Sequence, residues 1–308
     1  MKIIVTGGAG FIGYHVVKYL HSRGYKIKVI DNFSRAFFSE KLKKIHGIEI
    51  KQIDIRDKFM LINEFKGYDL IIHLAALINV EESLKYPDLY HSVNVNGTLN
   101  VLESARINEI NQIIFSSSAA VYGNPIRLPI DEDHVLNPVS IYGATKVIGE
   151  TYLKVYSHVF GINCKILRFF NVYGPGQSGE YSGVISTFLR NIFEGKPLIV
   201  YGDGNQTRDF IFVEDICNII ERLIDLDIQG YSVFNVGTSK PTSINKLIEI
   251  LQEIFGRRFK VVYTRERAGD LKHSYANNKR LLKALGSYSF IPLYEGLKKT
   301  IEWFENSV

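Results

Sequence analysis

The chain has 308 residues, which is enough for one large domain or two unequal ones. With 46% hydrophobic and 22% charged residues it has the composition of a globular protein, which excludes a disordered chain and a small disulfide-stapled module. The 37 Lys and Arg residues exceed the 32 Asp and Glu residues by five. This mild positive charge suits an anionic small molecule better than a nucleic-acid backbone.

Short runs of β-branched and other apolar residues recur in the first half of the chain and predict six strands. Because these runs are almost continuously apolar, they are typical of strands covered on both faces, as in a parallel sheet built from βαβ units. The segments between them place apolar residues three and four positions apart and predict helices, among them 11–23 and 87–106. The predicted strands are Lys2 to Thr6, Lys26 to Asp31, Ile48 to Ile53, Leu70 to His73, Gln112 to Ser116 and Asn163 to Arg168.

The rhythm changes after about residue 170, where glycine turns at 174–176 and 202–204 separate shorter strand and helix candidates. We predict an α/β fold, with a Rossmann-like doubly wound parallel sheet and a smaller mixed α/β substrate-binding lobe. The first domain is expected at residues 1–170. Residues 171–308 are expected to form mainly the second lobe, with some segments returning to the first domain.

Cysteine and histidine usage gives little sign of metal binding. Cys164 and Cys217 lie in apolar stretches without CxxC spacing, which favours buried reduced thiols and a cytoplasmic protein. The eight histidines show no HxH or HExxH pattern, so we expect no metal site. No apolar run approaches the 18 or more residues that a membrane span needs, so we expect no membrane partner.

A glycine-rich turn follows the first predicted strand directly. Residues 6–13 read TGGAGFIG and satisfy both GxGxxG and GxxGxxG, and an amphipathic helix follows. Such a turn lets helix N-terminal N–H groups face a pyrophosphate, although it could also simply pack a helix on a strand. Asp31 ends the second strand, where a carboxylate can hold a ribose diol, so we predict NAD as the cofactor. The nearby Arg35 leaves NADP open as an alternative.

Tyr142 and Lys146 are four residues apart and therefore share one face of a predicted helix. An ammonium group beside a phenol favours the phenolate, so Tyr142 is a candidate base near neutral pH. Ser116, Ser117 and Ser118 end the fifth strand, where a doubly wound sheet places its ligands, and a hydroxyl there could relay a proton. Taken alone, each of these residues could also serve only packing or capping.

Ten ordered motifs together resemble the extended short-chain dehydrogenase/reductase family, and within it the UDP-glucose (UDP-galactose) 4-epimerases, over nearly the whole chain. They are TGGAGFIG (6–13), Asp31-Asn32, Asp54-Ile55, HLAA (73–76), NVNGT (94–98), FSSSAAVYG (115–123), YGATK (142–146), RFFNVYGP (168–175), YGDGNQTRDF (201–210) and RAGD (267–270).

The resemblance implies roles for individual residues. The catalytic set is Ser118, Tyr142 and Lys146. The substrate-binding set adds Asn171, Val184, Tyr201 stacked on uracil, Arg208 and Arg267 on the diphosphate, Asp270 on a ribose, and Ser274. The cofactor-binding set is Gly7, Gly10, Phe11, Ile12, Gly13, Asp31, Asn32, Arg35, Asp54, Ile55, Leu74, Ala75, Ala76, Asn94, Ser116, Tyr142, Lys146 and Phe169, with Phe170 beside the last.

The activity implied is NAD-dependent 4-epimerisation of UDP-hexoses through a 4-keto sugar. A small residue at the position of Ser274 would admit N-acetyl groups at C2, so UDP-GlcNAc and UDP-GalNAc are expected beside UDP-Glc and UDP-Gal. Related dehydratases and uronate decarboxylases carry an acidic residue after the active-site Ser or Thr, where this chain has Ala119-Ala120.

Several alternatives stay open: a UDP-uronate epimerase or decarboxylase, a dTDP-sugar dehydratase, or a regulatory protein that binds NAD without turnover. The family also implies a homodimer formed through helices at 87–106 and 140–161. No basic stripe with interleaved aromatic residues supports a nucleic-acid partner.

Overall fold

The computed structural model describes residues 1–36, 38–177, 183–266 and 271–306. The chain forms two compact units. Unit 1 contains residues 1–123, 135–168 and 216–234, and unit 2 contains residues 124–134, 169–215 and 235–308. Each unit is therefore assembled from segments that are discontinuous in sequence.

Strands and helices alternate through most of the chain. The strands are β1 (Lys2–Thr6), β2 (Lys26–Asp31), β3 (Glu49–Gln52), β4 (Leu70–His73), β5 (Gln112–Ser118), β6 (Asn163–Phe169), β7 (Asn171–Tyr173), β8 (Leu198–Tyr201), β9 (Thr207–Phe212), β10 (Tyr231–Val236), β11 (Pro241–Ser243), β12 (Val261–Thr264) and β13 (His273–Ser274). The helices are α1 (Phe11–Ser22), α2 (Ser39–Lys43), α3 (Lys58–Glu64), α4 (Val80–Lys85), α5 (Pro87–Tyr90), α6 (Gly97–Ile107), α7 (Ile141–Phe160), α8 (Val184–Phe193), α9 (Val213–Asp225), α10 (Ile244–Phe255), α11 (Lys279–Leu285) and α12 (Leu293–Glu305).

Unit 1 is built on a seven-stranded sheet in the order β10-β6-β5-β4-β1-β2-β3. The pairs of β1 with β2 and β4, of β2 with β3, and of β4 with β5 are parallel. The strand order reverses at β1, so the carboxyl ends of β1 and β4 open the crevice in which such sheets bind ligands. The predicted α/β fold class with a doubly wound sheet is confirmed.

The strand sequences explain the sheet's two-sided burial. β1, β2 and β4 are almost wholly buried, as expected where helices cover both faces. One core cluster packs Ile71 and Ile113 of the sheet against Val101 of α6 and Leu153 of α7. The six predicted strands match β1–β6 to within two residues at each end.

Two features of unit 1 differ from the sequence analysis. β10 adds a seventh strand that was not predicted. The segment predicted as one helix at 87–106 consists of α5, a π-helical stretch at His91–Asn96 and α6. A π-helical turn bonds across five residues rather than four, which an apolar spacing of three and four cannot distinguish.

Unit 2 has a four-stranded sheet in which β9 pairs with β7, β11 and β13, and a separate pair of β8 with β12. Its core packs Phe188 of α8, Leu247 of α10 and Leu297 of α12 around Phe210 and Phe212 of β9. These helices present apolar residues at helical spacing, so each buries one face on the sheet.

Within the described residues, no helix is both long and apolar enough to cross a membrane. The same residues contain no cluster of three or more His, Cys, Asp or Glu side chains placed to hold a metal ion. Cys164 and Cys217 are both buried free thiols, and burial raises the pKa of the Cys164 thiol to about 12.

Candidate active site

The turn between β1 and α1 in unit 1 has the close backbone approach that a dinucleotide requires. Gly7 has a φ of +71°, and a Cβ on it would lie 2.6 Å from the backbone nitrogen of Ala75. A Cβ on Gly13 would overlap the carbonyl oxygen of Gly7. α1 begins after Gly10 with no side-chain cap, so its first N–H groups remain available to an anion. The turn therefore fits the pyrophosphate of NAD.

Asp31 is fixed beside this turn at the carboxyl end of β2. Its Oδ2 accepts a hydrogen bond from the backbone N–H of Ala9 at 3.0 Å, and its Oδ1 accepts one from Phe33 at 2.8 Å. Burial raises the pKa of Asp31, and these two bonds oppose the shift. Each oxygen keeps a further lone pair, so the carboxylate can still accept from a ribose hydroxyl.

The neighbouring polar candidates pair with other residues of unit 1. Asn32 donates to Asp54 at 2.8 Å, and Arg56 donates two side-chain hydrogen bonds to Asp54 at 2.9 and 2.7 Å. The hydrogen bonds from Arg56 hold the pKa of Asp54 well below its usual range. Arg35 forms an ion pair with Glu82 at 2.7 Å. This pairing partly neutralises the positive charge for which NADP was kept as an alternative cofactor.

The apolar candidates differ in how far they are buried. Ile55 belongs to the core, and a Cβ on Gly97 would collide with its side chain, so this side chain is packed inside the protein. Phe169 is buried at the end of β6. Phe11 and Ile12, at the start of α1, are half-buried.

Asn94 ties the loop after β4 to α7. Its side chain accepts from the N–H of Leu77 at 2.8 Å and donates to the carbonyl of Leu77 at 2.9 Å and to Thr145 at 3.0 Å. These bonds hold the loop that contains the half-buried residues 74–76, whose backbone lies beside Gly7 of the glycine turn. Asn94 therefore holds the loop after β4 in place from within the protein.

Tyr142 and Ser118 meet in unit 1. α7 begins after Ser140, whose Oγ accepts from the N–H of Gly143 at 3.0 Å, and this cap places Tyr142 in the first turn. The hydroxyl of Ser118 lies close enough to that of Tyr142 to oppose the rise in the pKa of the phenol that burial causes. The Oγ of Ser118 also accepts from the N–H of Ala120 at 3.1 Å, which fixes its position.

Lys146 lies one turn further along α7 and is only 4% exposed. Its Nζ donates to the carbonyl oxygen of Ser116 at 2.8 Å and lies 6.0 Å from the centroid of the Tyr142 ring. The Oγ of Ser116 in turn donates to the carbonyl oxygen of His73 at 3.1 Å. The predicted catalytic residues are thus brought together by the carboxyl end of β5 and the first two turns of α7.

The electrostatics of this group differ from the simple expectation. Burial raises the pKa of Tyr142, and the neighbouring hydroxyl of Ser118 only opposes this shift. Burial also lowers the pKa of Lys146 to about 7, against the attraction of Glu150. The expected lowering of the Tyr142 pKa by Lys146 is therefore not seen in the protein without bound ligands. A buried ammonium whose pKa is near neutrality is nevertheless well matched to proton chemistry at physiological pH.

Two buried residues beside the site were given no role from the sequence. The ring of His73 is hydrogen-bonded at Nδ1 to the hydroxyl of Thr6 (2.7 Å) and at Nε2 to the hydroxyl of Thr98 (3.0 Å). Glu150 follows Lys146 by four residues on the same helix face, a spacing that the sequence does display.

The predicted substrate-binding residues outside the catalytic group lie in unit 2. Three of them share one face of its four-stranded sheet. Asn171 is opposite Phe210, and Ser274 is opposite Arg208, in parallel pairings with β9. Side chains two apart on a strand point to the same side, so Asn171, Arg208 and Ser274 lie on a common face.

Asp209, the neighbour of Arg208 on β9, is held by the backbone of adjacent segments. Its carboxylate accepts hydrogen bonds from the backbone N–H groups of Thr238, Ser239 and Ala276, and it projects to the opposite face of β9. The Nη1 of Arg208 donates to the carbonyl of Thr207 at 2.9 Å.

The remaining substrate candidates of unit 2 are spread over other elements. Tyr201 ends β8 in the separate two-stranded sheet and is exposed. Val184 is the first residue of α8, and Phe170 is buried just before β7. Arg267 and Asp270 lie outside the described residues.

Comparison with known proteins agrees with this geometry. The family model described as "NAD dependent epimerase/dehydratase family" matches residues 3–237. The chain belongs to this family. Among its relatives, the UDP-glucuronate 4-epimerase of Thermodesulfobacterium geofontis is 34% identical over 99% of this chain and 96% of its own length.

Two solved structures superpose closely. The UDP-N-acetylglucosamine 4-epimerase of Methanobrevibacter ruminantium, in complex with UDP-N-acetylmuramic acid, has a TM-score of 0.94 at 35% identity and covers 100% of this chain and 99% of its own. The UDP-glucose 4-epimerase of Thermus thermophilus, in complex with NAD, has a TM-score of 0.90 at 30% identity and covers both chains completely. The family resemblance and NAD as the cofactor are thereby confirmed.

Proposed function

We propose that this member of the epimerase/dehydratase family is an NAD-dependent UDP-hexose 4-epimerase. The observation that carries the proposal is the catalytic group of unit 1, in which the Ser118 hydroxyl lies close enough to Tyr142 to oppose the burial-induced rise in its pKa and Lys146 is fixed on the carbonyl of Ser116. This group stands at the carboxyl ends of the strands, on the same sheet as the glycine turn.

The chain's own residues handle the proton of the sugar. Tyr142 Oη takes the proton of the 4-hydroxyl, either directly or through Ser118 Oγ, while the Lys146 ammonium stabilises the developing phenolate. When bound, NAD supplies a site that accepts the hydride of C4 and returns it to the opposite face of the sugar. Tyr142 then gives the proton back to the 4-oxygen, so the enzyme ends the cycle as it began.

Unit 2 supplies the groups for the UDP moiety in this proposal. Arg208 and Arg267 neutralise the diphosphate with charge-assisted hydrogen bonds, Tyr201 stacks on uracil, and Asp270 holds a ribose hydroxyl. Because the contacts to UDP are strong and those to the sugar are few, the sugar can turn within the site between the two hydride steps.

Epimerisation is favoured over dehydration by the residues after Ser118. Elimination of water requires an additional acid or base at the sugar, and this position carries Ala119 and Ala120 in a short 3-10 turn. The buried carboxylate of Glu150 cannot serve, since it is bonded to Arg168 at 2.9 and 2.6 Å.

We further propose that the enzyme accepts N-acetylated hexoses as well as plain ones. Ser274 is a small residue on the sheet face shared by Arg208 and Asn171, whereas strand alternation directs the adjacent Tyr275 to the other side. A relative of 35% identity is a UDP-N-acetylglucosamine 4-epimerase solved with UDP-N-acetylmuramic acid, which supports this proposal.

We also propose that the protein is cytoplasmic and forms a homodimer. The buried reduced thiols fit a reducing compartment. The outer face of α7 exposes Val155, Val159 and Phe160 by 47%, 59% and 48%, and Ile107 of α6 is 45% exposed. Two copies could bury these side chains in a helix bundle, and light scattering after gel filtration would measure the mass directly.

Purified protein incubated with a panel of UDP-sugars, followed by NMR, tests the function. We expect C4 epimers to form, with NAD co-purifying and not being consumed. Accumulating NADH with an oxidised sugar would indicate a dehydrogenase, and a deoxy sugar would indicate a dehydratase. Loss of CO2 from a UDP-uronate would indicate a decarboxylase, and bound NAD without turnover a regulatory protein.

A further inference from the structure

A buried polar cluster lies directly behind the catalytic group of unit 1. The carboxylate of Glu150 accepts hydrogen bonds from Arg168 Nε at 2.9 Å, from Arg168 Nη2 at 2.6 Å and from Ser117 Oγ at 2.5 Å. Arg168 also donates to the hydroxyl of Tyr122 at 2.8 Å. The cluster therefore joins α7, the end of β5, the end of β6 and the turn after β5.

The charged groups of this cluster are deeply buried and hydrogen-bonded to one another. The side chains of Glu150 and Arg168 are only 3% and 5% exposed. Burial alone would lower the pKa of Arg168, but its bonds to Glu150 raise it well above its usual value. A buried ion pair of this kind is held in a single geometry, because moving either partner would leave a charge without compensation.

The position of Ser117 connects the ion pair to the chemistry. Ser116, on one side, provides the carbonyl that holds Lys146, and Ser118, on the other, provides the hydroxyl that faces Tyr142 and opposes the burial-induced rise in its pKa. Ser117 points to the opposite face of the strand, where it meets Glu150. A shift of Ser117 along or across the sheet would therefore displace both catalytic contacts at once.

Glu150 is also bound to the catalytic residues through α7. It follows Lys146 by one helical turn and Tyr142 by two, so the three residues share one face of the helix. The same carboxylate thus fixes the strand that holds the catalytic contacts and the helix that carries the catalytic side chains.

We propose that Glu150, anchored by Arg168, is a positioning residue for the epimerisation, acting through Ser117 to set the distance between the end of β5 and the first turns of α7. The proposal rests on the function proposed above. It differs from a purely stabilising ion pair because it predicts a loss of turnover when the link through Ser117 is cut and the ion pair is left intact.

Ser117→Ala tests this link. The substitution removes one hydrogen bond to Glu150 and leaves both bonds from Arg168, whereas Glu150→Gln would strand the buried Arg168 and could prevent folding. Ser104→Ala is a matched control, since Ser104 is a fully buried serine of α6 whose hydroxyl has no hydrogen-bond partner in the described structure.

We expect Ser117→Ala to lower kcat roughly tenfold relative to Ser104→Ala, because small misplacements of reacting groups reduce turnover steeply. KM for the UDP-sugar should stay within about twofold of the control, since the UDP contacts are assigned to unit 2. NAD content and melting temperature should match between the two variants.

A kcat for Ser117→Ala within about twofold of the control would overturn the proposal. So would a fall in kcat that is matched by a fall in melting temperature or NAD content, which would indicate a general structural role. Wild-type protein measured in the same series separates a failure of this proposal from a failure of the proposed function. If wild type converts no UDP-sugar, the proposed function itself fails, and this proposal falls with it.

Discussion

Tyr142→Phe offers the most direct test of the proposed chemistry. The substitution removes one oxygen atom from a side chain that is packed with Leu77 and Tyr90 in a small buried cluster. The ring can stay in place, so the fold should lose no more than the contact between the two hydroxyls of Tyr142 and Ser118, worth at most about 1 kcal/mol. The proton acceptor for the 4-hydroxyl is lost entirely.

The expected effect on turnover is much larger than the effect on stability. Removing a general acid/base lowers the rate by roughly two to four powers of ten, which corresponds to about 3 to 5.5 kcal/mol in activation free energy. Interconversion of UDP-glucose and UDP-galactose followed by NMR measures turnover. The NAD released on denaturation measures cofactor content, which should be unchanged.

Tyr90→Phe is the matched control for this experiment. Tyr90 belongs to the same buried cluster and also loses one hydrogen bond, from its hydroxyl to Glu82 at 2.8 Å. We expect it to keep turnover within a few-fold of wild type. The reasoning would be refuted if Tyr142→Phe retained more than about a tenth of wild-type turnover, or if Tyr90→Phe lost as much.

Three further predictions concern binding. Arg208→Ala should weaken UDP binding in calorimetry by about 10- to 100-fold through loss of a charge-assisted contact, and an unchanged affinity would remove Arg208 from the site. Ser274→Tyr should reduce turnover of UDP-GlcNAc far more than that of UDP-glucose, and equal losses would contradict the C2 assignment. Gly13→Ala should yield protein that purifies without NAD, because the added Cβ overlaps the carbonyl of Gly7; retained NAD would contradict this account of the turn.

The sheet could be predicted because its strands carry strong local signals. β1 and β4 are apolar, short and bounded by turns or polar residues, and both begin and end at the predicted residues. β10 is less uniformly apolar, since Ser232 and Asn235 interrupt it, and the segment returns to unit 1 after α9. Tertiary packing decides whether a late segment adds a strand to the first sheet, and a local sequence pattern carries no information about that packing.

The candidate site shows a similar division. The spacing of Tyr142 and Lys146 predicted their shared helix face, and the glycine pattern predicted the tight turn before α1. The sequence could not indicate that burial dominates the pKa values of both catalytic side chains. It also gave no role to Glu150, because its partners Ser117 and Arg168 are 33 and 18 residues away along the chain.

His73 shows how a motif residue with no assigned role leads to a testable pH dependence. Thr98 donates its proton to the carbonyl of Asn94 at 2.6 Å, so it accepts from Nε2–H of His73. In a neutral ring Nδ1 then accepts from the hydroxyl of Thr6, so both ring nitrogens are satisfied without a positive charge.

Burial and then the charge of Lys146 accordingly lower the pKa of His73 to about 3. The unfolded chain takes up a proton near pH 6.5 that the folded chain excludes, so the contribution of His73 to stability is present above that pH and is lost as the pH falls towards 3. Between pH 7 and 5 the loss amounts to about 2 kcal/mol. Urea unfolding should show this additional loss in wild type relative to His73→Gln, which keeps hydrogen-bonding atoms but does not titrate. Equal losses in the two proteins would mean that His73 is already protonated in the folded state or remains accessible to protons.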